Sequence, residues 1–352
     1  MSEYTFKVGL VGPSRIGKTT LIAAIFEQGR KLLQGLPMTL EAESKTQRSL
    51  RDNHNAITAS VDAGRFNPDS LRGTQSALKY ELGFTHGEET FNLHVLDFPG
   101  RWLTDDEQRW KRECDPWLSE SPVLLVPTDA SLLMEPVTDK EHKGARGALG
   151  VYETGLVLDR WAKKMKENRI PALLAFVPLK TETYFNDNGG HRYDAETLRR
   201  RFDAVYGSLI DNVRAELGDH AANVRIEYHP VDTLGCVDLQ RISWKEDGPV
   251  ATFEVRRGQP YSPLGADDLL SSILRVPFQI VRFITERREK ETKEELEKDR
   301  GFFNGLWYWA SGQKGQHKGQ VAGFKQKRSE LNKALQQIAQ RSRGNRVHVL
   351  EA

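Results

Sequence analysis

Short apolar runs of strand length alternate along this chain with segments in which apolar residues recur at helical spacing. The first run, at 5–11, leads through a turn containing glycine into helical spacing over 19–33. Further apolar runs occupy 77–84, 91–96, 122–126, 170–177 and 224–230, with helical patterns at 104–119, 150–167 and 195–217. This alternation predicts an α/β fold with a mostly parallel sheet that is covered by helices on both faces.

The lengths of the connections refine that topology. The segment 85–90 is too short for a parallel crossover, so the strands before and after it should pair as an antiparallel hairpin. The predicted sheet therefore has one antiparallel edge strand. A second hairpin is predicted from 242–244 and 250–255, and a long helix from 266–288.

Two segments lie outside this regular alternation. Residues 36–76 separate the first helix from the first hairpin, and the helical spacing at 41–63 predicts a helical insertion that ends in a loop. Near the end of the chain a mixed charge run is followed by an aromatic cluster at 301–312 and a basic stretch. We therefore predict an α/β domain over 1–290 and a helical, basic, aromatic-containing tail over 291–352.

Composition and charge exclude several classes of protein. The formal net charge of +2 gives no evidence of a nucleic-acid partner, and Cys114 and Cys236 are too few for a disulfide framework. The N-terminus lacks the pattern of a secretory signal. The most apolar C-terminal run, 269–284, contains arginine and proline and is shorter than the roughly 20 residues of a membrane-spanning helix. We expect a cytoplasmic protein without a transmembrane segment.

The turn after the first strand reads GPSRIGKT, and it fits the phosphate-loop pattern G-x-x-x-x-G-K-[ST] between a strand and a helix. In such a loop, backbone N–H groups and the positive end of the helix surround the α- and β-phosphates. Lys18 would reach the β- and γ-phosphates, and the Thr19 hydroxyl would ligate Mg²⁺. The predicted nucleotide-binding residues of this loop are Gly12, Pro13, Ser14, Arg15, Ile16, Gly17, Lys18, Thr19 and Thr20.

The strand at 91–96 ends in a second motif, DFPG at 97–100. Its aspartate is placed to hold Mg²⁺ through water, and the N–H of Gly100 is placed to contact the γ-phosphate. Thr74, ahead of the hairpin, is placed to sense the γ-phosphate and complete the Mg²⁺ shell, although a loop threonine without that role fits equally well. The predicted metal ligands are Thr19, Thr74 and Asp97, and the predicted catalytic residues include Lys18, Thr74 and Gly100.

These two motifs, in this order and over about 5–285, resemble those of P-loop GTPases of the translation-factor and signalling class. GPSRIGKT and the stretch DFPGRWL, from Asp97 to Leu103, are similar to the corresponding motifs of bacterial YcjX-like GTPases, and the chain also resembles the double-GTPase families of bacterial conflict systems. The resemblance implies a Ras-like P-loop fold in which 36–76 is an insertion in the switch I region. It also implies GTP and GDP with Mg²⁺ as cofactors, hydrolysis of GTP in a nucleotide switch for partner binding, and a setting in bacterial stress or phage defence.

The base-reading motifs depart from the GTPase pattern. Where GTPases carry N-K-x-D after the fifth strand, this chain has Leu179, Lys180, Thr181 and Glu182. A glutamate can make the same paired bonds to guanine if its loop retreats by one methylene, so the sequence favours guanine, and an ATPase is the alternative. The loop after the last strand places Thr233 and Leu234 at the edge of the base. The predicted base-side residues are Lys180, Glu182, Thr233 and Leu234.

Hydrolysis needs a separate account, because Arg101 stands where many GTPases carry a water-orienting glutamine. Guanylate-binding proteins and atlastins look alike in having an arginine at the position of Arg15, which implies an arginine finger supplied in cis and a homodimer across the nucleotide face. We therefore predict Arg15 as a catalytic residue. A surface ion pair of Arg15 explains the sequence equally well, and a nucleotide-gated scaffold with little hydrolysis is the alternative function.

The aromatic residues of the tail carry too much apolar area to be left in water. We expect them to pack on the domain, with a peripheral membrane contact or a protein-docking face as the alternatives, and nucleic acid is disfavoured. The cluster consists of the aromatic residues Phe302, Phe303, Trp307, Tyr308 and Trp309 together with Leu306.

Overall fold

The structure is a computed structural model of the 352-residue chain and describes residues 2–66, 76–87, 89–104, 107–245, 248–290, 333, 336–342 and 346–350. Thr74 lies outside the described residues, and so does the aromatic cluster at 301–312. The roles assigned to them from the sequence therefore stay predictions.

Strands and helices alternate through the described part of the chain much as the sequence predicts. The strands are β1 (Ser2–Leu10), β2 (Thr39–Ala42), β3 (Arg65–Phe66), β4 (Leu78–His86), β5 (Glu89–Asp97), β6 (Val123–Asp129), β7 (Ala172–Leu179), β8 (Val224–Tyr228), β9 (Val237–Lys245), β10 (Gly248–Val255) and β11 (His348–Val349). The α-helices are α1 (Lys18–Leu33), α2 (Ser44–Asp62), α3 (Arg101–Thr104), α4 (Glu107–Arg109), α5 (Asp115–Ser119), α6 (Ala130–Met134), α7 (Asp139–Ala148), α8 (Val151–Asn168), α9 (Ala195–Leu217) and α10 (Ala266–Lys290). A π-helical turn (Trp110–Cys114) precedes α5, and a 3₁₀ helix (Gly218–Asn223) follows α9.

The main sheet confirms the predicted α/β class. Within the described residues its strand order is β11-β8-β7-β6-β1-β5-β4-β2, and the strands from β8 to β5 run parallel. Every residue of β6 and β7 is buried. Since successive side chains of a strand point to opposite faces, both faces of the sheet are covered there. The predicted hairpin is confirmed, because β4 pairs antiparallel with β5.

The antiparallel part of the sheet is larger than the single edge strand expected. Strand β2 pairs antiparallel with β4, and β11 pairs antiparallel with β8 at the opposite edge. Both added strands are short and at least half exposed, so they contribute little hydrophobic pattern to the sequence. Their pairing is decided by contacts with residues far away in the chain.

The helical insertion predicted between the first helix and the first hairpin is confirmed as α2. The Glu43 side chain accepts hydrogen bonds from the backbone N–H groups of Lys45 and Thr46, which satisfies two donors at the start of the helix. On its inner face, α2 buries Ile57 and Val61. The insertion is therefore anchored at its start by capping and along its length by apolar burial.

A second, smaller sheet has the strand order β3-β10-β9, with both pairings antiparallel. The predicted second hairpin is confirmed as the β9–β10 pair and is longer than expected. A separate small core joins this sheet to α2 and to the loop after β8. It consists of Ile57, Val61, Phe66, Leu234, Cys236, Val237 and Phe253.

One helical prediction is confirmed with a local irregularity, and one helix was not predicted. The helical pattern at 104–119 is confirmed over 107–119, where α4, the π-helical turn and α5 follow one another without a break. Pro116 lies in the first turn of α5, and proline lacks the N–H that would donate to the residue four positions earlier. Helix α7 was not predicted, since it buries Ala145 alone and so lacks an apolar stripe; a capping box between Thr138 and Glu141 starts it instead.

The remaining long helices agree with the sequence pattern. The helices expected over 150–167, 195–217 and 266–288 are confirmed as α8, α9 and α10. Helix α1 packs beside α10, and the hydrogen of Gly29 leaves room for Leu270. Among the helices in the described part of the chain, none combines the length and the apolar character needed to cross a bilayer.

Candidate functional site

The loop between β1 and α1 has the geometry expected of a phosphate-binding loop. Gly17 precedes the helix with a φ of 107°, in the left-handed region that glycine adopts without strain. The Lys18 ammonium turns back into the loop and donates hydrogen bonds to the carbonyl oxygens of Gly12, at 2.8 Å, and Pro13, at 3.1 Å. The Lys18 ammonium therefore lies inside the loop that the predicted residues 12–20 form.

Burial perturbs this lysine. The Lys18 side chain is 6% exposed and lies over the Phe98 ring, with Nζ 5.4 Å from the ring centre. Loss of solvation lowers the pKa of Lys18 from 10.5 to about 8, although the nearby carboxylate of Asp97 acts in the opposite direction. A buried ammonium of this kind is stabilised by an anion, which a phosphate group would supply.

Asp97, the first residue of the second motif, meets the phosphate loop directly. Because β5 is the parallel neighbour of β1, both strands end at the same edge of the sheet. Thr19 Oγ1 donates a hydrogen bond to Asp97 Oδ2 at 2.7 Å, and Asp97 is fully buried. A hydroxyl and a carboxylate are the hard oxygen donors that Mg²⁺ prefers, so these two residues fit the predicted metal site. The third predicted ligand, Thr74, lies outside the described residues.

Gly100, the last residue of the second motif, lies against the phosphate loop. A Cβ atom at this position would be 2.0 Å from the backbone N of Ser14 and 2.1 Å from the carbonyl carbon of Pro13. No side chain fits such an approach. Phe98 fixes the same segment from below, since its ring packs edge-on against Trp110 at 4.9 Å.

Lys180 stands at the carboxyl end of β7, beside the phosphate loop's edge of the sheet. Its ammonium forms an ion pair with Asp129, which ends the neighbouring strand β6. The other carboxylate oxygen of Asp129 accepts a 2.9 Å hydrogen bond from the N–H of Ser131. Lys180 is thus held in place by an aspartate that also starts the next helix.

Glu182 is directed into the protein rather than towards solvent. Its side chain is 2% exposed, and Oε1 accepts hydrogen bonds from the N–H groups of Leu234, at 2.7 Å, and Gly235, at 3.1 Å. Burial, followed by repulsion from Asp232, raises the pKa of Glu182 to about 7. The structure therefore brings together the predicted base-side residues Glu182 and Leu234, and the carboxylate supports the loop that follows β8. Thr233 is buried in that loop.

The sequence profile of the Double-GTPase 2 family matches residues 7–229, which is well over half of the chain. The chain belongs to the Double-GTPase 2 family. The matched region begins in β1 and ends after β8, so it contains the phosphate loop, the second motif and Lys180 with Glu182. The β9–β10 hairpin, α10 and the C-terminal segment lie beyond it. No curated protein matches the sequence.

Several solved structures are similar to this Double-GTPase 2 chain at low identity. The GTPase-like domain of S. cerevisiae Ski7, bound to GTP, is 11% identical with a TM-score of 0.34 over 66% of this chain and 43% of that one, so the chain spans less than half of its length. Methanosarcina barkeri Roco2 RocCORdC, bound to GDP, is 12% identical with a TM-score of 0.28, over 96% and 69% of the two chains. The cytosolic domain of the T. maritima FeoB iron transporter, in a GDP form, is 12% identical with a TM-score of 0.29, over 99% and 100%.

The phosphate loop of this Double-GTPase 2 protein opens onto a cleft of about 1260 Å³. The cleft is lined on different sides by the phosphate loop, by helix α7 and by strand β10. Its lining residues include Arg15, Gly100, Gly144, Lys180, Trp244 and Thr252. Sequence reasoning did not assign α7 or the hairpin to the site, because neither carries a phosphate or base motif. The absence of an apolar stripe on α7 is the signal that this helix faces an open space.

Arg15 is exposed at the mouth of this cleft and has an uncommon backbone conformation. Its φ of 64° lies in the left-handed region, which costs a residue with a side chain about 1 kcal/mol relative to glycine. The loop therefore carries an arginine at a position where glycine would be less strained. A strained residue beside a phosphate loop favours a functional role for its side chain.

Proposed function

We propose that the protein binds GTP with Mg²⁺, hydrolyses it to GDP, and uses the two nucleotide states as a switch for partner binding. The observation that carries this proposal is the meeting of the two motifs, in which Thr19 Oγ1 lies 2.7 Å from Asp97 Oδ2 beside a buried Lys18. Membership of the Double-GTPase 2 family supports the same activity.

The residues of the phosphate loop have separate roles in this proposal. Lys18 exchanges the carbonyl oxygens of Gly12 and Pro13 for oxygens of the β- and γ-phosphates and keeps its charge on binding. Thr19 and Asp97 would hold Mg²⁺, and the chemistry that the ion would supply there is neutralisation of charge on the phosphates. Gly100 presents its backbone N–H to the γ-phosphate, in agreement with its place against the loop.

We propose Arg15 as the group that stabilises the transition state for hydrolysis. Arg101 follows Gly100 and begins α3, so the water-orienting glutamine of many GTPases has no counterpart at this position. Arg15 is exposed, lies in the loop that holds the phosphates, and lines a cleft that would admit a partner. Docking of a protein partner or a second copy across this face would direct the arginine onto the phosphates, an effect worth about 10³–10⁵ in rate.

The small sheet is the element that we propose transmits the nucleotide state. Strand β3 directly precedes the segment that contains Thr74, and it pairs with β10 through Phe66 and Phe253. The shared small core also includes Leu234 of the predicted base-side loop. Contact of Thr74 with the γ-phosphate would therefore act on the β9–β10 hairpin through β3.

Guanine is the proposed base, with Lys180, Glu182, Thr233 and Leu234 on the base side. The proposed partners, apart from guanine nucleotide, are a protein or a second copy, with peripheral membrane contact through the tail as a further possibility. Bacterial stress or phage defence and a cytoplasmic location are suggested by resemblance and composition. Nucleic acid is disfavoured as a partner.

The second candidate is a nucleotide-gated scaffold with little hydrolysis, and the residue that favours it is Arg101. An ATPase is the alternative that the imperfect base motif allows. Both differ from the proposal in what they do with GTP.

Identification of the nucleotide that co-purifies, followed by phosphate release from GTP and from ATP, tests the proposal. Guanine nucleotide in the preparation and Mg²⁺-dependent release from GTP are expected, with a rate per molecule that rises with protein concentration. The Lys18→Ala variant is the control for contaminating activity. Preference for ATP would refute the base assignment, and tight GTP binding without release at any concentration would favour the scaffold.

A further inference from the structure

One arginine from the C-terminal end of the chain is buried between the two loops that the proposed function places around the base. Arg346 has a side chain that is 4% exposed. It precedes β11, which pairs with β8, and the N–H of Leu350 donates a 2.8 Å hydrogen bond to the carbonyl oxygen of Ile226. The C-terminal segment is thus held on the edge of the main sheet next to the loops after β7 and β8.

The guanidinium of Arg346 binds two carboxylates, each through two hydrogen bonds. Nη1 and Nη2 donate to the two oxygens of Asp232 at 2.8 and 2.9 Å. Nε donates to Asp187 at 2.8 Å, and Nη2 also contacts Asp187. The central carbon of the guanidinium, Cζ, lies over the Phe185 ring, 4.3 Å from its centre. Arginine alone among the side chains has a planar fork that can make this set of contacts.

The two aspartates belong to different loops. Asp187 lies in the loop after β7, which also carries Lys180 and Glu182, and Asp232 lies in the loop between β8 and β9. Asp232 is fully buried and accepts further hydrogen bonds from Thr181 Oγ1, at 2.6 Å, and Asn188 Nδ2, at 3.2 Å. Arg346 therefore adds a doubly bidentate bridge between two loops that Thr181 and Asn188 also join.

We infer that Arg346 is a positioning residue for base recognition, because it holds together the two loops that would read the base. Arg346 itself lies outside the region that the family profile matches. This inference rests on the proposed function. In the proposed function the phosphates are held by the loop at 12–20, at the start of α1, whereas Arg346 donates hydrogen bonds to Asp187 and Asp232. Its loss should therefore weaken selection of the base and leave the phosphate contacts intact.

The experiment compares wild type with Arg346→Gln and Arg346→Lys, and uses Arg341→Gln as the matched control. Arg341 comes from the same C-terminal segment but donates to the carbonyl oxygens of Leu32 and Gln34, at the end of α1. Dissociation constants are measured for GDP, ADP and inorganic pyrophosphate. For Arg346→Gln we expect GDP affinity to fall about tenfold and the ADP-to-GDP ratio of dissociation constants to shrink, with pyrophosphate unchanged. Arg346→Lys should rescue little, because a lysine cannot bind both carboxylates in pairs.

The outcomes separate this inference from the proposed function. Failure of the wild type to prefer GDP over ADP refutes the guanine assignment itself. A wild type that prefers GDP, together with an Arg346→Gln variant of equal preference, overturns the inference, as does an equal loss of pyrophosphate binding. If Arg346→Gln does not fold, Asp187→Asn replaces it, because Asp187 is partly exposed and the pair with Asp232 remains. Unchanged base selectivity of that variant then overturns the inference.

Discussion

Replacing Glu182 by glutamine should make the protein more stable than wild type at pH 8. This gain in the free energy of unfolding should shrink as the pH falls towards 5. The Glu182 carboxylate is buried beside Asp232, and its pKa is raised from 4.5 to about 7 in the folded protein. A glutamine keeps the side-chain oxygen that accepts the N–H groups of Leu234 and Gly235 and carries no charge.

The sign follows from proton binding. Between pH 4.5 and 7 the folded protein holds a proton on Glu182 that the unfolded chain has released, so the free energy of unfolding falls as the pH rises through this window. Above pH 7 the charged carboxylate costs on the order of 3 kcal/mol. This is an upper limit to the gain from glutamine. The carboxylate also accepts a hydrogen bond from the backbone N–H of Glu182, and the amide nitrogen of a glutamine could not accept that bond.

Urea denaturation followed by tryptophan fluorescence at pH 5, 6, 7 and 8 measures this difference. The wild-type free energy of unfolding should fall relative to that of Glu182→Gln as the pH rises. Glu167→Gln is the control, because Glu167 is exposed and its ion pair with Lys164 is worth little. Parallel pH curves for wild type and Glu182→Gln would refute the reasoning from burial. Guanine selectivity should survive in this variant if Glu182 supports the loop, and its loss would show direct contact with the base.

Four further substitutions, at three positions, test other parts of the site. Arg15→Gly and Arg15→Ala should both lower GTP turnover about 10³-fold and leave GDP affinity nearly unchanged. The glycine variant should be at least as stable as wild type in thermal melts, because glycine relieves the strain of the left-handed φ. Unchanged turnover would show that Arg15 has no part in catalysis. Gly100→Ala should reduce turnover and weaken GTP relative to GDP, because its Cβ would lie 2.0 Å from the Ser14 nitrogen, and wild-type kinetics would contradict the close approach. Phe253→Ala should cost about 3 kcal/mol in denaturation and speed GDP release through Leu234; an unaltered release rate would argue against coupling through the small core.

The helical insertion and the base-side loop pack against the same small core. Ile57 and Val61 reach it from α2, whereas Leu234 and Cys236 reach it from the loop after β8. A change in the position of α2 therefore moves apolar contacts of the base-side loop. Coupling through these contacts is reciprocal: the position of the insertion would affect nucleotide release, and nucleotide release would affect the position of the insertion.

The parts of the site that could be predicted from the sequence are those in which neighbouring residues act together. The phosphate loop and its helix are contiguous, so the glycine at 17 and the lysine at 18 were recognisable in order and spacing. The hairpin of β4 and β5 followed from the length of its connection. The buried strands β6 and β7 were recognisable as continuous apolar runs.

Contacts between distant segments could not be predicted in this way. Helix α7 begins at a capping box and lacks an apolar stripe, and β2 is too short to show a pattern. Arg346 is one of many basic residues near the C-terminus, and nothing in its neighbours distinguishes it. Its partner Asp232 lies more than a hundred residues earlier.

By itself, the amino-acid sequence determined which residues form the phosphate loop, the order of the strands' apolar runs and the aspartate at the end of β5. Only the tertiary structure decided that Thr19 meets Asp97, that Glu182 faces inward, and that a C-terminal arginine closes the base side. The physical reason is that local backbone geometry and hydrophobic periodicity act over a few residues, whereas burial, pKa and ion pairing depend on what the rest of the chain brings into contact.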